Sequence, residues 1–144
     1  MAIDLGKQNR TLSLRQRVIF VDRLGSAAIP FTELATLGGK EMLRGFNEGR
    51  YRGASAAVTT LQYTYPIWVA LDGMLFVEAG NVFDSGLRGF DPAAFAGSFG
   101  GGIRTNSDRD VALQLLVAAG TSRFDAGPLE VENVRVVIGT VTGF

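Results

Sequence analysis

The sequence predicts an all-β protein, an antiparallel transmembrane β-barrel segment of about six long strands with one long loop that folds inward. Apolar and polar residues alternate with period two along most of the chain. Glycine is frequent, at 19 of 144 residues. The last predicted strand continues to Phe144, an aromatic at the end of the sequence. A barrel in lipid needs a complete closing strand because no backbone group can stay unpaired there.

The predicted strands have one apolar face each, and most are long enough for a tilted bilayer crossing of about 9–11 residues. Soluble strands average only about 5–6 residues. In the third strand, Leu75 and Val77 share one face, whereas Phe76 and Glu78 share the other. The six strands cover about 10–24, 53–67, 69–83, 96–105, 110–121 and 129–144.

The other face is made mostly of Gly, Ala and Thr, with isolated charges, which is typical of a narrow lumen. A soluble β-sandwich is the alternative, because its strands alternate too. The arginines on this face would line a conducting lumen or simply form the solvated inner surface of a barrel. They are Arg15, Arg17, Arg104 and Arg135.

Composition limits the possible functions. Lys plus Arg and Asp plus Glu are equal at 14 each, so nothing indicates a nucleic-acid partner. The chain has no Cys and no His, and it therefore lacks thiolate ligands and the commonest general base. We expect neither an enzyme nor a metal or other cofactor.

The one long connection covers about residues 25–52 and combines glycines with aromatic residues. A loop of this length inside a compact domain is usually functional or disordered. The interleaved aromatics favour an ordered loop that folds back. Its centre is the segment Leu43-Arg44-Gly45-Phe46.

These segments resemble the BamA/TamA-type bacterial surface-antigen barrels, the outer-membrane protein assembly and translocation superfamily. The resemblance rests on several motifs in order along nearly the whole chain. They are Leu37-Gly38-Gly39, Leu43-Arg44-Gly45-Phe46, Gly49-Arg50-Tyr51-Arg52-Gly53, the strand from Leu61 to Ile67, Phe76-Val77-Glu78-Ala79-Gly80, the segment from Gly100 to Thr105, and Phe144.

The resemblance implies that the loop enters the barrel from the extracellular side and that Arg44, with Gly45 and Phe46, docks on the wall strand carrying Phe76 and Glu78. Glu78 stands where the family more often has Asp. On spacing alone, Arg44 would be a solvated loop charge and Glu78 an ordinary lumen residue. With the resemblance taken into account, a direct Arg44–Glu78 pair is the preferred interpretation.

The resemblance also implies that residues 1–144 are the C-terminal part of a larger barrel in the bacterial outer membrane, with no periplasmic docking domain in this stretch. The parent protein would insert or translocate outer-membrane or secreted proteins, and its first and last strands would open to pair with a client strand. The expected partners are the lipid bilayer, a second copy in a barrel-completing dimer, and client proteins. A passive pore and a soluble ligand-binding β-barrel remain the alternatives.

Overall fold

The computed structural model describes residues 2–4, 9–21, 30–105 and 111–142. Within these residues no helix is long and apolar enough to cross a membrane. Single turns of 3-10 helix lie at Phe31–Glu33, Ser85–Leu87, Pro92–Ala94 and Phe124–Ala126. The strands are β1 (Ala2–Asp4), β2 (Thr11–Phe20), β3 (Ala35–Leu37), β4 (Tyr51–Gly53), β5 (Ser55–Trp68), β6 (Leu71–Phe83), β7 (Ala96–Thr105), β8 (Val111–Arg123) and β9 (Val131–Thr142).

Seven strands form one antiparallel sheet in the order β1-β2-β5-β6-β7-β8-β9, and β3 pairs with β4 in a separate hairpin. The prediction of an all-β antiparallel fold with six long strands is confirmed, since the six long strands have 10 to 14 residues each. In the described part of the chain β1 and β9 are the two edges and do not pair, so the sheet is open. The sequence did not predict β1, β3 and β4, which are too short to display alternation.

The two faces of the sheet differ sharply in exposure. One register row joins Leu61, Val77, Phe99, Ala119 and Val134 across five neighbouring strands. The large apolar members of this row are exposed, with Val77 at 59% and Val134 at 63%. We call this the outer face, because the long loop lies on the opposite, inner face.

The core lies between the loop and the inner face. Leu37, Leu43 and Phe46 of the loop pack against Ala56 and Val58 of β5 in one buried cluster. A second, smaller cluster lies farther along the same face, away from the loop connection, and contains Met74, Phe76, Leu116 and Ala118. The loop therefore supplies much of the apolar packing that the inner face of the sheet receives.

Candidate functional site

The loop tip, residues 38–46, is a compact turn carried on the β3–β4 hairpin. Its backbone is closed by hydrogen bonds from Gly38 N to Met42 O at 3.1 Å, Gly39 N to Phe46 O at 2.9 Å and Phe46 N to Leu43 O at 2.9 Å. Leu43 is fully buried and has a φ of 49°. That left-handed conformation is costly for a residue with a side chain. Contacts around the tip must therefore hold it in place.

Arg44 and Glu78 form a buried ion pair. The guanidinium Nε lies 3.0 Å from Glu78 Oε1, and the backbone N–H of Arg44 donates to Oε2 at 2.7 Å. Thr60 Oγ1 donates to Oε1 at 3.3 Å. The side chains are 8% and 0% exposed. Three donors thus satisfy a carboxylate that water does not reach, and such charge-assisted hydrogen bonds are the strong ones.

Two further groups fix the Arg44 guanidinium. It donates from Nη1 to Gln62 Oε1 at 3.2 Å, and it lies over the Phe76 ring at 3.7 Å from the centroid. Burial lowers the pKa of the Arg44 guanidinium, and the Glu78 carboxylate opposes that effect. Arginine remains protonated in proteins, so the pair stays ionic.

Gly45 brings the tip into backbone contact with the wall. Its N–H donates to Ser98 Oγ at 2.8 Å, and its carbonyl accepts from Asn133 Nδ2 at 3.0 Å. A Cβ at position 45 would lie 2.3 Å from the carbonyl of Ala119. Only glycine allows this approach.

Phe46 fills the space beside that contact. The side chain is 1% exposed and packs edge-on against Tyr51, with ring centroids 5.2 Å apart. Gly120 lies directly under the phenyl ring, so close that a Cβ on residue 120 would come within 2.8 Å of a ring atom. A side chain at position 120 would displace the phenyl ring.

Arg135 of β9 binds the tip from another direction. Its Nη1 donates to the carbonyl oxygens of Gly39 at 3.3 Å and Arg44 at 3.4 Å, and also to that of Phe46. Sequence reasoning placed Arg135 on the inner face but did not connect it with the loop. It missed Asn133, Ser98 and Gly120 as loop contacts altogether.

These contacts have a simple geometric basis, since they lie on two neighbouring register rows of the inner face, each running from β5 to β9. Strand pairing alone determines the rows, and the loop tip contacts both. The Glu78 row contains Thr60, Glu78, Ser98, Gly120 and Asn133; the Phe76 row contains Gln62, Phe76, Gly100, Ala118 and Arg135.

A cavity of about 670 Å³ lies beside the tip on the inner face. Residues of β2, the loop and β9 all line it, so the sheet curls around it. Its lining includes five cationic side chains and one carboxylate, namely Arg15, Arg17, Lys40, Arg44, Arg104 and Glu41.

The comparisons with known proteins decide the family. The Omp85 superfamily domain matches residues 2–118, which include both partners of the buried ion pair. The chain belongs to the Omp85 superfamily. No curated protein and no solved structure gave a match. The superfamily resemblance inferred from the sequence motifs is thereby confirmed.

In this Omp85 barrel segment, the structure brings together the five loop and wall residues that the sequence singled out: Arg44, Gly45, Phe46, Phe76 and Glu78. Their functional importance stays a prediction. Phe144, the predicted closing-strand signal, lies outside the described residues.

Proposed function

We propose that this chain is the C-terminal barrel segment of an outer-membrane protein of the assembly and translocation type, and that the segment itself is barrel-forming. The parent would insert or translocate outer-membrane or secreted proteins. Its mechanism would need no cofactor and no catalytic group, because work on a client strand would consist of backbone pairing and lateral opening.

The observation that carries the proposal is the division of one sheet into two unlike faces. The inner face binds an inserted loop through the Arg44–Glu78 pair. The outer face exposes large apolar side chains such as Leu75, Val117 and Ile138. In water such a band would be an aggregation site, whereas a bilayer is its natural solvent. This disfavours the soluble ligand-binding barrel.

The open sheet edges support self-association. Residues 131–142 of β9 pair with β8 on one side, and lipid cannot satisfy the backbone groups of the other side. We propose that a second copy, or the remaining strands of a longer parent, pairs with this edge. The mass of the refolded species in detergent, together with heat-modifiable gel migration, measures this directly.

Reconstitution tests the assembly function. The chain is refolded into liposomes, and the folding rate of an added unfolded outer-membrane barrel protein is compared with the rate in empty liposomes. Acceleration by the wild-type chain that is reduced in the Arg44→Met variant supports the proposal. A chain that is fully inserted but gives the empty-liposome rate contradicts an assembly role for this segment.

A passive pore is the second candidate, and the charge of the cavity favours it. Three of the five cationic side chains that line that space are paired with carboxylates. Arg15 and Lys40 make no salt bridge in the described part of the chain, so a pore through the cavity would prefer anions. In a planar bilayer under a salt gradient, the reversal potential would then indicate anion selectivity. Conductance without effect on client folding would favour this candidate over the first.

A further inference from the structure

The loop tip contacts the last strand as well as the wall strand that carries Glu78. Asn133 and Arg135 both lie on β9 and both donate to backbone carbonyls of the tip. Arg135 makes no salt bridge in the described part of the chain. Among the described residues, its side chain therefore binds the loop and not a carboxylate.

The tip thereby connects two strands that are not neighbours. Arg44 holds it to Glu78 on β6, and Arg135 holds it to β9, with β7 and β8 between them. Three strand spacings separate β6 from β9, which is about 14 Å along the sheet. A connection across the inner face at this distance restricts how far the sheet can flatten.

We propose that Arg135 is a positioning residue that fixes β9 to the loop tip and so sets the curl of the sheet and the location of the β9 free edge. Among the described residues β9 has one paired neighbour, β8, so the loop tip is the second contact within this part of the chain that orients it. This role of Arg135 does not require assembly activity, because Arg135 acts on the geometry of the sheet in either candidate function.

The chemistry suits arginine. The guanidinium Nη1 lies within hydrogen-bond distance of three carbonyl oxygens, those of Gly39, Arg44 and Phe46, and its two N–H groups are shared among them. A lysine ammonium is a compact point charge on a flexible stem. It would keep the charge but hold the three acceptors less rigidly. The Arg135→Lys variant should therefore retain part of the effect, and Arg135→Met none.

Distance measurement between two spin labels tests the proposal. The chain has no native Cys, so Leu61→Cys on β5 and Val136→Cys on β9 give a unique pair on the outer face, at 43% and 64% exposure in the native side chains. Four strand spacings separate these strands, about 19 Å along the sheet. The labelled chain, refolded in detergent, is compared with and without Arg135→Met by pulsed electron resonance.

We expect Arg135→Met to shorten the mean distance towards the flat-sheet value of about 19 Å, because flattening brings side chains on the convex outer face closer together. The distribution should also broaden, with Arg135→Lys intermediate. Arg104→Met is the matched control, because Arg104 is an inner-face arginine bonded to Asp72 and should leave the distance unchanged. Should Arg135→Met not refold, Asn133→Ala removes the smaller contact and should give a smaller shift in the same direction.

An unchanged distance distribution in Arg135→Met overturns the proposal, even where its melting temperature falls, because a purely stabilising role lowers the melting temperature without moving β9. An equal shift in Arg104→Met also overturns it.

Discussion

Removing the Arg44 side chain should destabilise the protein far more than removing a charge from a surface pair. In Arg44→Met an apolar side chain takes the place of the guanidinium that lies over Phe76, but Glu78 keeps a buried negative charge with its side chain 0% exposed. Breaking a buried pair in this way costs about 3–5 kcal/mol. The backbone N–H of residue 44 and the Thr60 hydroxyl still donate to the carboxylate, so we expect about 3 kcal/mol, the lower end of that range.

The assay is equilibrium unfolding by urea in detergent micelles, followed by the emission of Trp68, the single tryptophan. Glu41→Gln is the matched control. Glu41 bonds Arg17 at 3.2 Å, but its side chain is 75% exposed, and exposed pairs contribute about 0–1 kcal/mol. Equal losses of unfolding free energy in Arg44→Met and Glu41→Gln would refute the buried-pair reasoning.

A double variant separates the pair from other effects of residue 44. Arg44→Met with Glu78→Met removes the stranded charge, so its destabilisation should be smaller than the sum of the two single losses by about 1–3 kcal/mol. Additive losses would show that the two side chains do not interact. Exchanging the two charges, with Glu at position 44 and Arg at position 78, is a poorer test. The backbone N–H of residue 44 donates to the Glu78 carboxylate, and after the exchange it would point at the N–H groups of an arginine.

Three further changes test the site and the two faces. Gly45→Ala should prevent docking of the tip and lower the free energy of unfolding by at least about 1–3 kcal/mol. Gly139→Ala is its control in the same urea assay and should be neutral, because a Cβ at position 139 would lie 4.0 Å from the nearest atom. Phe46→Ala should cost about 3–5 kcal/mol of unfolding free energy, and a loss under 1 kcal/mol would contradict its burial in the core. Val77→Lys on the outer face should lower the free energy of unfolding of liposome-refolded protein by about 2–4 kcal/mol, and Gln114→Lys on the inner face should lower it much less. Equal losses in the two variants would contradict the assignment of faces.

Period-two alternation was enough to predict the long strands because each side chain direction follows from the pleat. It placed Phe76 and Glu78 together on the inner face, where the structure has them. The strand predicted at 96–105 has the same first and last residues as β7. Three residues are too few for alternation to be recognised, so β1 and the β3–β4 hairpin were not predicted.

The loop site was predictable only in part, for a physical reason. The contacts between loop and wall residues depend on the register of several neighbouring strands. Register is set by how two strands pair, so the sequence of a single strand does not reveal it. The contacts of Asn133 and Arg135 with the tip arise because β8 aligns them with Gly120 and Ala118. Parity placed Asn133 and Arg135 on the inner face, and register then placed them opposite the tip.

In a membrane barrel the outer face meets lipid and the inner face does not. Neighbouring positions on β8 test it most directly, in a Trp68→Phe background refolded into liposomes containing brominated phospholipid. Leu115 points outward at 42% exposure, and Gln114 lines the inner cavity. We expect strong bromine quenching of tryptophan in Leu115→Trp and little in Gln114→Trp. Equal quenching at the two positions, or quenching at position 114 alone, would contradict it.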